Sequence, residues 1–123
     1  RERLKILEDA YAEVVRRIRE RIISMRGTDD YKKFLKNSIV WAMSIIGSRE
    51  LVITVSRVDK DLANELVSEL GLNATVNTTD EDLLGAIITS ADGSIRVDAT
   101  LDSRLRLMEH QIKTLLAHLA SSS

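Results

Sequence analysis

The chain has 123 residues, of which 44% are hydrophobic and 30% charged, a balance typical of one globular domain rather than a disordered segment. Its 18 basic and 19 acidic residues give a formal net charge of −1, which provides no long-range attraction to nucleic acid or anionic lipid. It has no cysteine, so disulfides, thiolate metal sites and cysteine nucleophiles are excluded. It also has no apolar run long enough to cross a membrane.

Residues 1–26 contain neither glycine nor proline and predict one long helix. Their apolar residues recur at steps of three and four, which places them in one stripe along the helix. The stripe consists of Leu4, Leu7, Tyr11, Val14, Ile18, Ile22 and Met25. The N-terminal half has no obvious neighbour in the chain, and an exposed stripe of this length indicates that another protein covers it. Because the chain begins at Arg1 without a methionine, we interpret it as a fragment whose upstream part is missing.

The second half of this helix carries a cluster of five basic residues that could contact RNA or an acidic protein. These residues are Arg16, Arg17, Arg19, Arg21 and Arg26. Interleaved Glu13 and Glu20 weaken the positive field, and no aromatic residues accompany the cluster to stack on bases. A solvated helix face is the favoured interpretation and an acidic protein partner the next. Nucleic-acid binding is kept as the alternative function.

A second helix is predicted between Thr28, which can accept hydrogen bonds from free amides, and Gly47, which suits a helix end. After Ser38 this helix is apolar around most of its circumference, so its second half is predicted to be deeply buried. Residues 50–56 (ELVITVS) are rich in β-branched residues and apolar on both faces, which predicts a central strand.

A third helix is predicted from Asp59 to Gly71, with Leu62, Leu66 and Leu70 on one face. Residues 73–78 then predict a short second strand. A strand, helix, strand unit of this size normally forms a right-handed crossover between parallel strands.

Two further strands are predicted over residues 84–91 and 94–98, on either side of Asp92-Gly93. An Asp-Gly pair supplies the positive φ angles of a type I′ turn, which predicts a hairpin with a two-residue loop. This loop places the apolar residues of both strands on one face, so the hairpin buries one side only. Those residues are Ile88, Ile95 and Val97.

The final helix is predicted from about Leu101 to Leu119, with Thr100 and Asp102 suited to its start. Its buried stripe is predicted to be Leu101, Leu105, Met108, Ile112, Leu115 and Leu119. The order of elements predicts an α+β fold, in which a long N-terminal helix is followed by a compact head. The head holds a small mixed sheet of about four strands packed by helices.

Residues that often carry chemistry are present, but not in the patterns that chemistry requires. His110 and His118 lie eight residues apart on one helix, roughly 12 Å by helix rise, which is too far to share a metal. Asp29, Asp30 and residues 80–82 lie at predicted helix starts, where carboxylates are favoured electrostatically. No nucleotide-binding glycine motif, GxSxG elbow or HExxH motif occurs. We therefore predict no catalytic residue, no metal site and no cofactor, and a small enzyme with an unrecognised pocket is a minor alternative.

Residues 84–105 (LGAIITSADGSIRVDATLDSRL) resemble the C-terminal signature of the E subunit of the archaeal and vacuolar-type rotary ATPases. That family shows a Leu-Gly-Gly-like strand start, an Asp-Gly hairpin and an Ile-Arg-Val-Asp-like strand. A Thr-Leu or Thr-Phe and an Arg-Leu pair then open the final helix. Ala86 stands where a second glycine is common, and Ala99 where an asparagine is common. The matching residues are Leu84, Gly85, Asp92, Gly93, Ile95, Arg96, Val97, Asp98, Thr100, Leu101, Arg104 and Leu105.

The resemblance implies a non-catalytic subunit of the peripheral stalk, or stator, of an archaeal or vacuolar-type ATP synthase/ATPase. Such a subunit links the catalytic head to the membrane sector, so that ATP synthesis or hydrolysis couples to transport of protons or sodium ions. The implied organisation is the end of a stalk helix over residues 1–26 and a globular C-terminal head domain over residues 27–123. The implied location is the cytoplasm, peripheral to the cell membrane and without direct insertion into it.

The resemblance also implies two protein partners and no nucleic acid. A second stalk subunit of the G or H type is expected on the N-terminal helix, and a B subunit of the catalytic hexamer on the head. An isolated fragment could also dimerise through its exposed helix. The residues expected to contact the partner helix are Leu4, Leu7, Tyr11, Val14 and Ile18.

Overall fold

A computed structural model describes residues 2–47 and 49–122 and confirms the predicted α+β class. The predicted stalk-helix segment begins at Arg1 and the predicted head domain ends at Ser123, and both residues lie outside the described residues. The helices are α1 (Glu2–Ser24), α2 (Asp29–Ile46), α3 (Lys60–Leu70), α4 (Leu101–Leu107) and α5 (Glu109–Ser121). The strands are β1 (Leu51–Ser56), β2 (Ala74–Thr79), β3 (Gly85–Ser90) and β4 (Arg96–Thr100), and a 3-10 turn at Arg57–Asp59 precedes α3.

The four strands form one mixed sheet in the order β2-β1-β3-β4. The prediction that β1 is central is confirmed, as is the parallel pairing of β1 with β2 through α3. The β1–β3 and β3–β4 pairs are antiparallel. Ile53 lies opposite both Val76 and Ile88, so the apolar residues of neighbouring strands share one face of the sheet.

The main hydrophobic cluster lies between that face of the sheet and the helices α2 and α3. Its buried residues are Leu35, Ile39, Ala42, Ile46, Leu51, Ile53, Val55, Ala63, Leu66, Ala86, Ile88, Val97 and Ala99. The prediction that the whole second half of α2 is buried is wrong, because Val40 and Ile45 are largely exposed. The sheet covers only one side of α2, and Val40 and Ile45 lie outside the side that it covers.

The hairpin between β3 and β4 has the predicted register but not the predicted turn. Ile88 lies opposite Val97, as expected. The turn begins at Ser90, whose carbonyl accepts from the Gly93 amide at 2.8 Å, and Gly93 has the positive φ of 77°. Asp92 has no positive φ, so the type I′ prediction is wrong. The Asp92 carboxylate accepts a hydrogen bond from the Ser94 amide at 2.9 Å. This bond favours an ordinary turn within a four-residue loop.

The last helix is broken at Met108, whose φ of −98° and ψ of 1° are not helical. The predicted continuous helix is therefore wrong, and so is part of its buried stripe. Leu101 and Leu105 are buried and Ile112 packs against the second hydrophobic cluster, whereas Met108, Leu115 and Leu119 are exposed. Beyond the break, α5 packs mainly on α1 rather than on the sheet.

A second hydrophobic cluster attaches α1 to the head. Its buried residues come from α2, the β2–β3 loop and α4, namely Tyr31, Leu84, Leu101 and Leu105. The residues of α1 and its end that pack against them are Val15, Ile18, Ile22 and Met25. The C-terminal half of α1 is thus held by the head.

Candidate functional site

The predicted partner-binding surface runs along α1, and α5 lies beside it in the opposite direction. Leu7, near the start of α1, lines a groove with Ala120, near the end of α5. Tyr11, one turn further along α1, lies beside Lys113, whose Nζ is 5.4 Å from the ring centroid. The expectation that this half of α1 has no neighbour in the chain is therefore wrong. The neighbour is α5, which the break at Met108 allows to lie along α1.

The five residues predicted to contact a partner differ in how far their own chain covers them. Leu4 is 64% exposed, whereas Leu7, Tyr11, Val14 and Ile18 are half-buried. The Tyr11 hydroxyl donates to a carbonyl of α4 at 3.1 Å, and Ile18 packs against the second hydrophobic cluster. Tyr11 and Ile18 thus already contribute to the fold, and the N-terminal part of the stripe has the most free surface.

The α1–α5 pair leaves apolar surface uncovered at its end away from the sheet. Large apolar side chains there are exposed on both helices, namely Leu4, Ile6, Leu115 and Leu119. A shallow groove of about 470 Å³ is lined by Arg3, Ile6, Leu7, Ala117, Ala120 and Ser121. We call this region the open end of the helix pair. An exposed apolar region of this kind is typical of a protein-binding surface.

Most of the predicted basic cluster is neutralised by nearby carboxylates. Arg16 and Arg17 both donate to Glu13, and Arg19 pairs with Asp102 of α4. The hydrogen bonds from the two arginines lower the pKa of Glu13 to about 2, so this carboxylate keeps its charge. These pairs leave little free positive field for a phosphate backbone, which weakens the nucleic-acid alternative.

The fifth arginine of the cluster, Arg26, joins α1 to the head. Its guanidinium donates to the Asp59 carboxylate at 3.1 Å, to the Leu83 carbonyl at 3.0 Å and to Asp82 at 3.2 Å. The Tyr31 hydroxyl donates to the same Asp59 oxygen at 2.7 Å. Burial, reinforced by the bond to Asp59, raises the pKa of Tyr31 far above its usual value. We call these residues the Arg26 junction.

Sequence reasoning missed this junction because its partners are far apart in the chain. The sequence predicts only that Asp59 starts α3, yet its side chain makes no capping bond there. Its bonds instead reach Tyr31 and Arg26, which are 28 and 33 residues away. No local pattern distinguishes a buried carboxylate of this kind from an ordinary helix-start aspartate, so the sequence carries no signal for it.

The residues of the family-like motif mostly shape the hairpin and the start of α4. Gly85 has a φ of 102°, and a Cβ there would lie 2.8 Å from the Ala99 carbonyl oxygen. The Asp98 carboxylate accepts from the amide of Thr100 at 3.0 Å, next to the start of α4. Arg96 is exposed on the edge strand β4. These positions serve folding rather than a binding pocket.

Asp92 provides a pH-dependent contribution to the hairpin. Its carboxylate accepts from Ser94 and from the Ser90 hydroxyl at 2.7 Å, and these bonds lower its pKa from 3.8 to about 2. Because the folded pKa lies below the unfolded value, the stabilisation is present above about pH 4 and is lost toward pH 2. We expect Asp92→Asn to make the loss of thermal stability between these pH values shallower than in the wild type.

Thermal unfolding followed by circular dichroism across pH 2 to 7 measures this effect. Asp9→Asn, a substitution at an exposed position of α1, is the matched control, and its loss of stability between pH 4 and pH 2 should match that of the wild type. An equal loss of stability over this pH range in Asp92→Asn and the wild type would contradict the prediction.

Arg104, the last charged residue of the motif, contacts the single tryptophan. Its guanidinium carbon lies 5.1 Å from the centroid of the Trp41 ring, a cation–π arrangement between α4 and α2. Both side chains are half-buried. This pair is the one motif contact that reaches a largely uncovered surface of the head.

The two histidines lie apart on the surface, and the described residues hold no candidate metal cluster. His110 and His118 are both exposed on α5. Within residues 2–47 and 49–122, no group of three or more His, Cys, Asp and Glu residues could hold a metal ion. A groove of about 600 Å³ beside the Arg26 junction is lined by Lys32 among others, but Lys32 is bound to Glu65 at 2.9 Å. No described helix is both long and apolar enough to cross a membrane.

Comparison with known proteins gives a consistent result over most of the chain. Residues 1–118 match the family described as the ATP synthase (E/31 kDa) subunit. The E subunit of the A-type ATP synthase of Methanopyrus kandleri is 32% identical over 117 residues, covering 90% of this chain and 58% of the relative. Its counterpart in Pyrobaculum neutrophilum is 29% identical over 113 residues, covering 91% and 58%. That of Pyrococcus horikoshii is 30% identical over 129 residues, covering 95% and 61%. The chain thus spans between 58% and 61% of the length of these three relatives.

Proposed function

We infer that the chain, which belongs to the ATP synthase (E/31 kDa) subunit family, is a non-catalytic part of the peripheral stalk, or stator, of an archaeal ATP synthase. A stator links the catalytic head to the membrane sector and resists the torque of the rotor. ATP synthesis or hydrolysis is thereby coupled to transport of protons or sodium ions, and the chemistry lies in other subunits. The corresponding location is cytoplasmic, at the periphery of the cell membrane.

The observation that carries this proposal is the exposed apolar surface at the open end of the helix pair, where the stripe of α1 ends at Leu4. Leu4 and Ile6 at the open end of the helix pair are each 64% exposed. A helix of 23 residues without proline, supported at its other end by the second hydrophobic cluster, suits a part that must transmit force. Such a part requires stiffness and protein contacts rather than a catalytic cleft.

The proposed partners are two proteins of the same complex. In this arrangement residues 1–26 are the end of a stalk helix and bind a second stalk subunit of the G or H type. The contact residues are Leu4, Leu7 and Val14, together with the free edges of Tyr11 and Ile18. Residues 27–123 form the head, which attaches to a B subunit of the catalytic hexamer.

The nucleic-acid alternative is not favoured, because most of the basic cluster on which it depends is already paired. Four of its five arginines are bound to carboxylates, namely Arg16, Arg17, Arg19 and Arg26. A phosphate backbone would have to compete with these ion pairs for each guanidinium.

The first test of the stator proposal is the effect of a charge in the free part of the stripe. We expect Leu4→Asp in the full-length chain to weaken binding of the second stalk subunit by roughly ten- to a hundredfold, because a carboxylate would be buried in an apolar contact. Isothermal titration calorimetry with the purified second stalk subunit measures the change.

Ile23→Asp is the matched control for Leu4→Asp, since Ile23 is an exposed apolar residue of α1 outside the stripe. It should bind like the wild type. Failure of the wild-type full-length chain to bind the second stalk subunit would overturn the stator proposal itself.

A further inference from the structure

The contact between Trp41 and Arg104 lies at the centre of an exposed apolar region of the head. Ile45 is one helical turn after Trp41 on α2 and is 53% exposed. Leu107 follows Arg104 by three residues on the same side of α4 and is 72% exposed, and Met108, the next residue at the break, is 47% exposed. We call these five residues the Trp41 surface.

The fold gives no internal reason for these apolar residues to be exposed. Leu107 and Met108 stand at the break between α4 and α5, where a solvated helix end would ordinarily carry polar residues. Tryptophan, arginine and methionine are the residue types enriched at the centres of protein interfaces, and tryptophan and arginine supply much of their binding energy. The Trp41 surface therefore has the composition of an interface.

The charges around the Trp41 surface indicate the chemistry of its partner. Arg104 takes part in no ion pair among the described residues. The nearby carboxylates are already used, since Asp102 pairs with Arg19 and Glu109 pairs with Lys113 at 3.2 Å. The apolar surface thus contains an arginine without an ion pair, Arg104, which is complementary to a carboxylate within an apolar patch of a partner.

We propose that the Trp41 surface attaches the head to a protein of the catalytic sector that presents an apolar patch with a carboxylate for Arg104. The identity of this partner rests on the proposed stator function. A second copy of the chain fits less well, because a symmetric dimer through this surface would bring the arginines of both copies together.

Binding of purified catalytic hexamer to the full-length chain in complex with its second stalk subunit tests the proposal. The variants are Leu107→Ser, which removes exposed apolar area, and Arg104→Glu, which reverses the charge of the surface. Biolayer interferometry should show at least tenfold weaker binding for each, and a smaller dependence on salt for Arg104→Glu.

Two control variants match these changes at a different place on the head. Val58→Ser removes an apolar side chain of similar exposure, 71%, in the turn before α3, and Lys60→Glu reverses an exposed charge at the start of α3. Both should bind within about twofold of the wild type. Circular dichroism and the Trp41 emission spectrum of Leu107→Ser should match the wild type, since that side chain is outside the core.

The outcomes separate this inference from the stator proposal. If the wild type binds the hexamer and Leu107→Ser and Arg104→Glu bind it with unchanged affinity, the Trp41 surface is not the attachment site. The stator function is then left in place. Equal losses in the variants and in their two controls overturn the Trp41 surface as well. No binding of the wild-type stalk pair to the hexamer overturns both. Self-association that Leu107→Ser abolishes, with hexamer binding unchanged, assigns the surface to a second copy and overturns the proposal.

Discussion

Replacing Gly85 with alanine is expected to lower the free energy of unfolding by about 2–6 kcal/mol, from backbone strain and overpacking together. The φ of 102° lies in a region that side-chain-bearing residues rarely adopt. A Cβ would also lie 2.8 Å from the Ala99 carbonyl oxygen and 3.2 Å from the Thr100 Cα. Both are backbone atoms of β4 and cannot rotate away, so the β3–β4 pairing would have to shift.

Urea unfolding monitored by Trp41 fluorescence measures this change, with Gly93→Ala as the matched control. Gly93 has a similar φ of 77°, but no described atom lies within 4 Å of the position of its Cβ. We expect Gly93→Ala to cost only the conformational strain, about 1–2 kcal/mol. Equal losses for the two variants would show that crowding at β4 contributes nothing.

This expectation also explains why a glycine is needed at the start of the motif strand. The chain at Gly85 passes between β4 and Ser38 of α2, whose hydroxyl oxygen would be 3.3 Å from a Cβ. Ala86, where the family commonly has a second glycine, is fully buried without such a conflict. The glycine at position 85 therefore reflects how closely β3 approaches β4 and α2.

Breaking the Arg26 junction is expected to be the second large effect. Asp59 is 3% exposed, so Arg26→Met would leave a buried carboxylate with the Tyr31 hydroxyl as its remaining strong donor. Because the Arg26 side chain keeps 23% exposure, we expect a loss of about 2–4 kcal/mol, below the full cost for a completely buried pair. A double-mutant cycle of Arg26→Met and Asp59→Asn should give a coupling energy of about 1–3 kcal/mol.

The exposed pair of Arg57 and Asp80 provides the control cycle. Its side chains are 71% and 87% exposed, so solvent screens the attraction and no measurable coupling is expected. Unfolding free energies of the four variants of each cycle, measured in urea, give the two coupling energies. Comparable values for the two cycles would mean that burial of Asp59 does not strengthen its pair with Arg26.

A large coupling at this junction would matter for the proposed stator. Arg26 lies just after α1, whereas Asp59 and Leu83 belong to the head, so their bonds cross the corner between the helix and the sheet. The second hydrophobic cluster resists separation of the two parts, and directional hydrogen bonds add resistance to rotation about the corner. A stalk helix joined in this way would pass torque to the head with little bending.

Local patterns in the sequence determined most of the secondary structure. The cap at Thr28, which accepts from the Tyr31 amide at 3.4 Å, and the central strand β1 were both predictable. Each depends on residues within about one helical turn or one strand, and hydrophobic periodicity reflects such relations directly. The hairpin register was predictable for the same reason, since a short loop fixes which residues face each other.

Only the tertiary structure decided how these elements meet. The break at Met108 has no proline or glycine to signal it, and it turns α5 onto the stripe of α1 for which the sequence offers no neighbour. The bond from Arg26 to Asp59 joins residues 33 positions apart. Contacts of this kind depend on which surfaces remain after the sheet and helices have packed, and a single sequence does not carry that information. The periodicity of α1 therefore determined that its stripe must be covered, and the packing decided how much of it this chain covers by itself.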